Sequence, residues 1–328
     1  MTKKLLFTAA LLVPGLAYSA NPTANLTVQV APAGSGLAVP TEAAAAGFTT
    51  LAANFDFSQP FYATRSNWLD CAGTNASLPW HVGAPGVDTS AGCTSIVQAT
   101  DPLTGQPAMF MPHTTTQDSG GGTGGWDAVQ MITHWGNQAD SVGTPLFPNM
   151  YVEATYRDTS NATGQNAGVW NWQSQTGVAG AIEFDYGEIY NGGYTAAGTG
   201  NWGNGQAGGE FFNSNPGNNN LAPGFAPTNY HKYGGLITSD GATAIWNCLF
   251  VDDRLQKCIN PRALSAQYQN KYWLVISNNA TPVPVPVETD LWIKSIKVWT
   301  CPNWQTQMCN GSTLVTTTQS GVTWKYWH

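Results

Sequence analysis

The sequence predicts an all-β protein, a β-sandwich of the jelly-roll type. Six segments carry the β-branched and aromatic residues of strands and are bounded by clusters of Gly, Pro and Asn. Helical periodicity is absent apart from a short turn near 261–267. Many strands joined by Gly- and Pro-rich connections, with almost no helix, indicate a sandwich or jelly roll.

The strand signals are clearest in the second half of the chain. In MYVEATYR (150–157) apolar and polar residues alternate from Val152 onwards, as a half-buried strand requires. The stretch 191–227 is crowded with Gly and Asn, and we expect an irregular connection there, as in SGGGTGG (119–125). The six predicted strands are 128–133, 150–157, 181–190, 243–251, 272–277 and 291–299.

The first residues have the layout of a secretory signal peptide. Lys3 and Lys4 precede an apolar run at 5–16, and small residues follow up to Ala20. The run is too short to span a bilayer, and no other stretch of about 18 apolar residues exists. A buried N-terminal helix is the alternative. We expect a signal peptide at 1–19 and a secreted or periplasmic protein.

The rest of the chain suits one large domain. Residues 20–47 are rich in Ala, Pro and Gly, which is typical of a leader or linker. Aromatic residues become frequent from Phe48, so we expect the jelly-roll domain at 48–302 and a C-terminal tail at 303–328. No internal repeat indicates a solenoid or propeller.

Charge and cysteine content limit the partners and the cellular compartment that fit the sequence. Charged residues make up 9% of the chain, against about 25% in a typical protein. The net charge is −7 with 12 Lys and Arg, which argues against nucleic acid as a partner. Six cysteines fit structural disulfides in an oxidising compartment. Among 15 possible connectivities, neighbour pairing gives Cys71–Cys93, Cys248–Cys258 and Cys301–Cys309.

Three acids stand within six positions of AIEFDYGEIY (181–190). Side chains on a strand alternate between its faces, so Glu183 and Asp185 share a face and Glu188 would lie on the other. A bulge near Gly187, where glycine tolerates bulge dihedrals, would return Glu188 to the acidic face. Residues such as Phe184 would then face the core.

Two carboxylates that flank a bond are what glycoside hydrolysis requires. With a bulge, the backbones of Glu183 and Glu188 lie about 13 Å apart at ~3.3 Å per residue. Asp185 between them would bias which Glu holds the proton. Two alternatives stay open, a solvated polar face and a set of oxygen ligands for Ca²⁺.

At these residues the sequence resembles glycoside hydrolase family 16, whose bulged motif reads E-x-D-x-x-E. The strand MYVEATYR (150–157), the Trp-rich AGVWNWQ (167–173), the hairpin at 229–256 and LWIKSIKVW (291–299) are similar to family segments. The resemblance implies a curved sandwich that cleaves β-glucans or galactans with retention. It also implies that Glu183 is the nucleophile, Asp185 the assisting acid and Glu188 the general acid/base.

The resemblance places Trp170, Trp172 and His231 among cleft-wall or substrate-binding residues, although each could instead belong to the core. Trp202, in the 191–227 stretch, is a further candidate because flat rings stack on sugars. The Trp segment is shorter than the family's usual run, which leaves the substrate open.

Other kinds of catalysis find no motif. There is no GxSxG elbow or P-loop. The histidines lack metal-ligand spacing; they are His81, His113, His134, His231 and His328.

We therefore expect a monomeric, endo-acting glycosidase that needs no cofactor, although a structural Ca²⁺ is compatible with the sequence. A β-1,3- or β-1,3-1,4-glucan is the favoured polysaccharide, and no membrane partner is expected. A non-catalytic carbohydrate-binding protein and a transglycosylase are the alternatives on the same fold.

Overall fold

A computed structural model of the chain defines the fold. It describes residues 37–71, 78–82, 93, 95–112, 127–133, 149–159, 165–173, 181–190, 194–202, 210–213, 222–242, 245–259, 273–280, 290–302 and 309–328. The signal peptide expected at 1–19 and the turn expected near 261–267 lie outside these residues.

Strands make up most of the described structure. One short helix, α1 (Thr41–Ala45), and 3₁₀ turns at Pro60–Ala63 and Arg65–Asn67 accompany them. The strands are β1 (Thr50–Asp56), β2 (Leu69–Asp70), β3 (Trp80–Val82), β4 (Val97–Thr100), β5 (Pro107–Pro112), β6 (Asp127–Thr133), β7 (Met150–Asp158), β8 (Gln165–Gln173), β9 (Ala181–Tyr190), β10 (Tyr194–Trp202), β11 (Glu210–Asn213), β12 (His231–Ser239), β13 (Ile245–Val251), β14 (Arg254–Ile259), β15 (Trp273–Ala280), β16 (Asp290–Thr300), β17 (Leu314–Gln319) and β18 (Val322–Trp327).

Two sheets of eight strands form the sandwich. Sheet I has the order β14-β13-β12-β7-β16-β5-β4, with β1 also paired to β16, and sheet II has the order β11-β10-β9-β8-β15-β6-β3-β2. Within the described strands, pairing is antiparallel except between β2 and β3. The predicted all-β jelly-roll sandwich is confirmed, and the six predicted strands correspond to β6, β7, β9, β13, β15 and β16.

The main core lies between the two sheets and is rich in aromatic rings. Tyr156 of β7 stacks on Tyr233 of β12 with ring centroids 4.3 Å apart, and Phe55 meets Trp80 edge to face at 4.9 Å. All four are fully buried. Burial of each such side chain contributes about 1.5–3 kcal/mol, so this layer holds the sheets together.

A second core covers the face of sheet I that is turned away from sheet II. Ala43 of α1 and Trp324 of β18 are buried there with Tyr151 and Phe250, and the Phe250 and Trp324 rings lie 5.6 Å apart. Both α1 and the hairpin β17–β18 therefore pack on the sandwich. Apolar residues on both sides of positions 48 and 302 contribute to this second core, and the domain boundaries expected there stay a prediction.

The stretch expected to be an irregular connection, 191–227, contains two strands. Both β10 and β11 continue sheet II beyond β9, and Ala196–Thr199 pairs with Glu210–Asn213. Backbone hydrogen bonds to a neighbouring strand do not require bulky side chains, so the Gly- and Ala-rich sequence of β10 can still extend the sheet.

Three disulfides join the cysteines that are neighbours in sequence. Their Cα atoms lie 5.5 Å apart in Cys71–Cys93, 4.0 Å in Cys248–Cys258 and 5.6 Å in Cys301–Cys309. Cys248 and Cys258 are directly opposite each other in the register of β13 and β14. Among the described residues, no helix is long and apolar enough to cross a membrane.

Candidate active site

The acid-bearing strand β9 lies inside sheet II, between β8 and β10. Both neighbours pair with it in antiparallel fashion over nearly its whole length. A strand bonded on both edges is held firmly in register, which is what a set of side chains with fixed spacing requires.

A bulge interrupts β9 between the second and third acids. On the β8 side, Asp185 is opposite Trp170 and Gly187 is opposite Val169, so the register passes over Tyr186. On the β10 side the register also shifts, between Gly198 opposite Asp185 and Ala196 opposite Glu188. The predicted bulge is confirmed, although the extra residue is Tyr186 rather than Gly187.

Burial of two residues near the bulge identifies the two faces of sheet II. Val169 of β8 and Tyr186 of β9 are fully buried in the main core. Gly168, Trp170 and Trp172 alternate with Val169 and therefore belong to the opposite face, which we call the outer face.

Directly paired residues share a face of the sheet. Glu183 is opposite Trp172, Asp185 opposite Trp170 and Glu188 opposite Gly168. The backbone thus assigns all three acid positions to the outer face. The extra residue at the bulge is what keeps position 188 there.

On the outer face, the residues next to the acids on β8 differ from those on β10. Toward β8, the positions next to Glu183 and Asp185 are Trp172 and Trp170. The Trp170 ring nitrogen Nε1 donates a hydrogen bond to Ser277 Oγ of β15 at 3.0 Å. This bond fixes the indole of Trp170 beside the acid row.

Toward β10, the positions next to the acids are small. They are Gly200, Gly198 and Ala196, opposite Glu183, Asp185 and Glu188 respectively. Trp202 ends the same strand opposite Ala181, also on the outer face. The side chains of the three acids, Trp172 and Trp202 lie outside the part of the chain that the structure describes.

His231 is not brought together with the acids. It begins β12 in sheet I, where Nδ1 lies 2.7 Å from Asp252 Oδ2 and Nε2 lies 2.9 Å from the Ala226 carbonyl oxygen. The Phe225 ring is 4.2 Å away. The ring thus secures the start of β12 in sheet I, and a role of His231 in substrate binding stays a prediction.

The hydrogen bond from His231 also affects its partner. Burial by itself would raise the pKa of Asp252, but hydrogen bonds from His231 and from the Lys232 N–H lower the pKa below its usual value. Asp252 is therefore held as a carboxylate that ties β12 to the β13–β14 turn.

Two polar residues on the outer face were not singled out from the sequence. Asp70 of β2 is directly paired with His81 of β3, and His81 with Ile132 of β6. Their core-facing neighbours Leu69 and Trp80 are buried, so Asp70 and His81 belong to the outer face. These strands are two and three residues long, too short for a periodic signal.

Among the described side chains, no group of three or more His, Cys, Asp or Glu could hold a metal ion. The side chains of the acid trio lie outside the described part of the chain, and Ca²⁺ binding by the trio stays a prediction.

No protein-family model matches the sequence, and no curated protein matches it. Solved structures match in fold. The GlcNAcα1-4Gal-releasing endo-β-galactosidase of Clostridium perfringens has 13% identity and a TM-score of 0.50, over 77% of this chain and 63% of that chain.

Two further structures have slightly lower scores. The catalytic domain of an endo-1,3-β-glucanase (laminarinase) from Thermotoga petrophila RKU-1 has 13% identity and a TM-score of 0.49, covering 77% of this chain and 98% of that chain. An endo-acting O-glycanase from the human gut microbiota has 12% identity and a TM-score of 0.49, covering 76% and 99%. At such identities the similarity concerns the fold alone.

Proposed function

We propose that the protein is an exported, endo-acting glycoside hydrolase that cleaves β-glycosidic bonds in a polysaccharide with retention of configuration. One observation carries the proposal. The three acid positions of an E-x-D-x-x-E motif share the outer face of an interior strand because a bulge follows Asp185. Carboxylates spaced along one face, so that they can flank a bond, are the arrangement that glycoside hydrolysis uses.

The register also supports retention. Glu183 and Glu188 are opposite Trp172 and Gly168, which are four residues apart, about 13 Å at ~3.3 Å per residue. If each side chain reaches ~3–4 Å toward the other, their carboxyl groups are about 5–7 Å apart, a range that includes the ~5–5.5 Å of retaining enzymes and meets the ~6.5–9.5 Å of inverting ones only at its upper end.

The proposed reaction is a double displacement. Glu188 gives its proton to the glycosidic oxygen while Glu183 attacks the anomeric carbon, so that the leaving sugar departs and a glycosyl ester forms. Glu188, now a carboxylate, takes a proton from water, and that water displaces Glu183. Asp185 assists by hydrogen bonding to one Glu and biasing where the shared proton resides.

The proposed substrate is a β-1,3- or β-1,3-1,4-glucan. This choice rests on the resemblance of the motif and its flanking strands to glycoside hydrolase family 16. Trp170 and Trp172, paired with two of the acids, would stack on sugar rings, and Trp202 would do so on the β10 side. Galactans are the next class to test.

The proposal also includes export of the protein and a reaction that needs no cofactor. The three disulfides suit an oxidising compartment, as expected for a protein that leaves the cytosol. Two carboxylates suffice for double displacement, so neither an organic cofactor nor a catalytic metal is required. We expect the protein to act as a monomer.

Reducing-sugar release from laminarin, mixed-linkage glucan, xyloglucan and agar tests the function. We expect release from laminarin or mixed-linkage glucan, with an early fall in viscosity because cleavage is internal. The Glu183→Ala variant is the control. Binding without release by the wild type would favour a carbohydrate-binding protein, and products longer than the substrate would favour a transglycosylase.

A further inference from the structure

Ser277 of β15 lies on the outer face of sheet II, close to the acid row. Ile276, its neighbour in the strand, is buried in the main core, so Ser277 belongs to the other face. Ser277 is opposite Gly168 of β8, and Gly168 is opposite Glu188 of β9. Positions 277 and 188 are thus two strand intervals apart, about 10 Å at ~4.8 Å each, and the residue between them has no side chain.

The indole of Trp170 reaches across this space. Trp170 is opposite Val275, which lies two residues before Ser277 on the same face of β15. Its ring nitrogen Nε1 nevertheless donates a hydrogen bond to Ser277 Oγ at 3.0 Å. The ring therefore leans along β8 from its own row into the row of Gly168 and Glu188. Gly168 has no side chain to obstruct the ring, and the hydrogen bond brings the indole next to two acid positions, 185 and 188.

The two partners of this hydrogen bond differ in burial. Ser277 is 2% exposed, whereas Trp170 is partly exposed. A buried polar group without a partner is costly, so the buried hydroxyl favours the orientation of the indole that bonds to it. The ring is thus held at its N–H edge before a ligand arrives, and part of its surface stays accessible. Ordering a side chain in advance removes that cost from ligand binding.

The position of the indole determines which sugar residue it meets. In a double displacement, the sugar at the cleaved bond lies between the nucleophile and the general acid/base. An indole beside positions 185 and 188 meets this sugar, and an aromatic ring offers apolar surface to the C–H face of a pyranose. Because reaction requires precise alignment of the attacked carbon, a shift of this ring affects the chemical step as well as binding.

We infer that Ser277 is a positioning residue: its hydroxyl holds the indole of Trp170 beside the acids, and the indole orients the sugar at the cleaved bond. The inference rests on the proposed function for its substrate and reaction. Ser277 acts through Trp170 and takes no part in the chemistry itself.

Steady-state kinetics of three variants on a soluble glucan test the inference. Ser277→Ala removes the acceptor, Trp170→Phe removes the donor, and a third variant carries both changes. We expect kcat to fall about tenfold in Ser277→Ala, the effect of losing one good hydrogen bond, with a smaller change in KM. The double variant should be no slower than Trp170→Phe, because without the indole Ser277 has nothing to hold. An unchanged kcat in Ser277→Ala, or losses that multiply in the double variant, would overturn the inference.

Asn278→Ala is the matched control. Asn278 follows Ser277 in β15 but faces the core, where its Nδ2 donates to the Met111 carbonyl oxygen at 2.9 Å. The control therefore removes a buried hydrogen bond from the same strand on the other face of sheet II. We expect it to melt lower than wild type and to keep its kcat per folded molecule. A loss of kcat equal to that of Ser277→Ala would indicate a general loosening of β15 and would contradict the inference.

A second measurement does not depend on activity. The indole ¹⁵N–¹H resonance that is missing in Trp170→Phe belongs to Trp170, and its hydrogen exchange with solvent should be faster in Ser277→Ala and unchanged in Asn278→Ala. If the wild type cleaves no glycan but this resonance responds, the proposed function is wrong and the hold of Ser277 on the indole stands. If the wild type is active but the resonance does not respond, the inference alone is wrong.

Discussion

Tyr186 and Gly235 face each other across the two sheets, and the ring of Tyr186 fills the space that a Cβ atom at residue 235 would need. Tyr186 is the extra residue of the β9 bulge and is fully buried. Gly235 lies in β12 of sheet I, opposite Val152. Glycine at this position therefore allows the bulge that keeps Glu188 on the acidic face.

Gly235→Ala should lower both stability and activity. The added methyl group overlaps the Tyr186 ring, and overpacking of this kind costs about 1–3 kcal/mol. Gly234→Ala is the matched control, because its Cβ overlaps the Tyr151 hydroxyl on the other face of sheet I. We expect both to melt lower than wild type, but only Gly235→Ala to lose kcat per folded molecule. Equal kcat values in the two variants would contradict a role for this contact in holding the bulge.

Changing the length of β9 tests the bulge itself. Deleting Gly187 gives E-x-D-x-E, in which strict alternation still presents three acids on one face, so some activity should remain. Inserting one residue after Gly187 turns the displaced Glu toward the core, where an unpaired carboxylate costs several kcal/mol or must be protonated. We expect the insertion to abolish hydrolysis and lower the melting temperature. An active insertion variant that melts like the parent would show that Glu188 needs no fixed face.

Replacing Cys248 and Cys258 together by serine should cost about 2–3 kcal/mol of unfolding free energy, because the bridge closes a short loop. The sequence separation is 10 residues. Denaturant unfolding of the variant checks the magnitude, and removal of the Cys71–Cys93 bridge, with a separation of 22, should cost somewhat more. A Cys248 peptide linked to any other cysteine in the non-reduced protein would refute the pairing.

The buried Arg157–Asp101 ion pair should make stability depend on acidity. Burial by itself would raise the pKa of Asp101, but hydrogen bonds, led by that of Arg157, lower it to about 2. The unfolded value is about 4, so the contribution is complete above pH ~4 and is lost as pH falls toward ~2.

Melting temperature against pH, for wild type and Asp101→Ala, measures this contribution. The variant leaves a buried guanidinium without its carboxylate and should lose about 3–5 kcal/mol at neutral pH. The gap between the two curves should narrow between pH ~4 and ~2, by about the 2.6 kcal/mol that such a pKa shift is worth. A gap that stays constant down to pH ~2 would contradict the assignment.

The local sequence pattern was sufficient to predict the interior strands. Strands such as β7 and β9 contain β-branched and aromatic residues, and the spacing of the acids predicted the bulge without any structure. The hairpin β17–β18 was expected to be a tail, although Ser320 and Gly321 both have positive φ, the geometry of a tight hairpin turn. Its signal was missed because Ser-Gly is a weaker turn sequence than Asn-Gly.

Pairing between strands that are distant in sequence determines the features that the sequence did not reveal. The family resemblance gave His231 a cleft position, but strand order places it in sheet I, bonded to Asp252. Asp70 and His81 meet through a parallel pair of very short strands, which no periodicity could predict. β10 pairs with β9 through its backbone, and small residues dominate its interior (196–200), which weakens the pattern by which strands are recognised.

The stereochemistry of azide rescue tests the catalytic account most directly. Glu183→Ala should abolish hydrolysis of an aryl β-glycoside, and added azide should restore turnover to a glycosyl azide of inverted configuration. Glu188→Ala should give an azide of retained configuration, because the nucleophile still forms the glycosyl ester. Nuclear magnetic resonance of the products distinguishes the two anomers. Hydrolysis at near wild-type rates by both variants would contradict the assignment of Glu183 and Glu188.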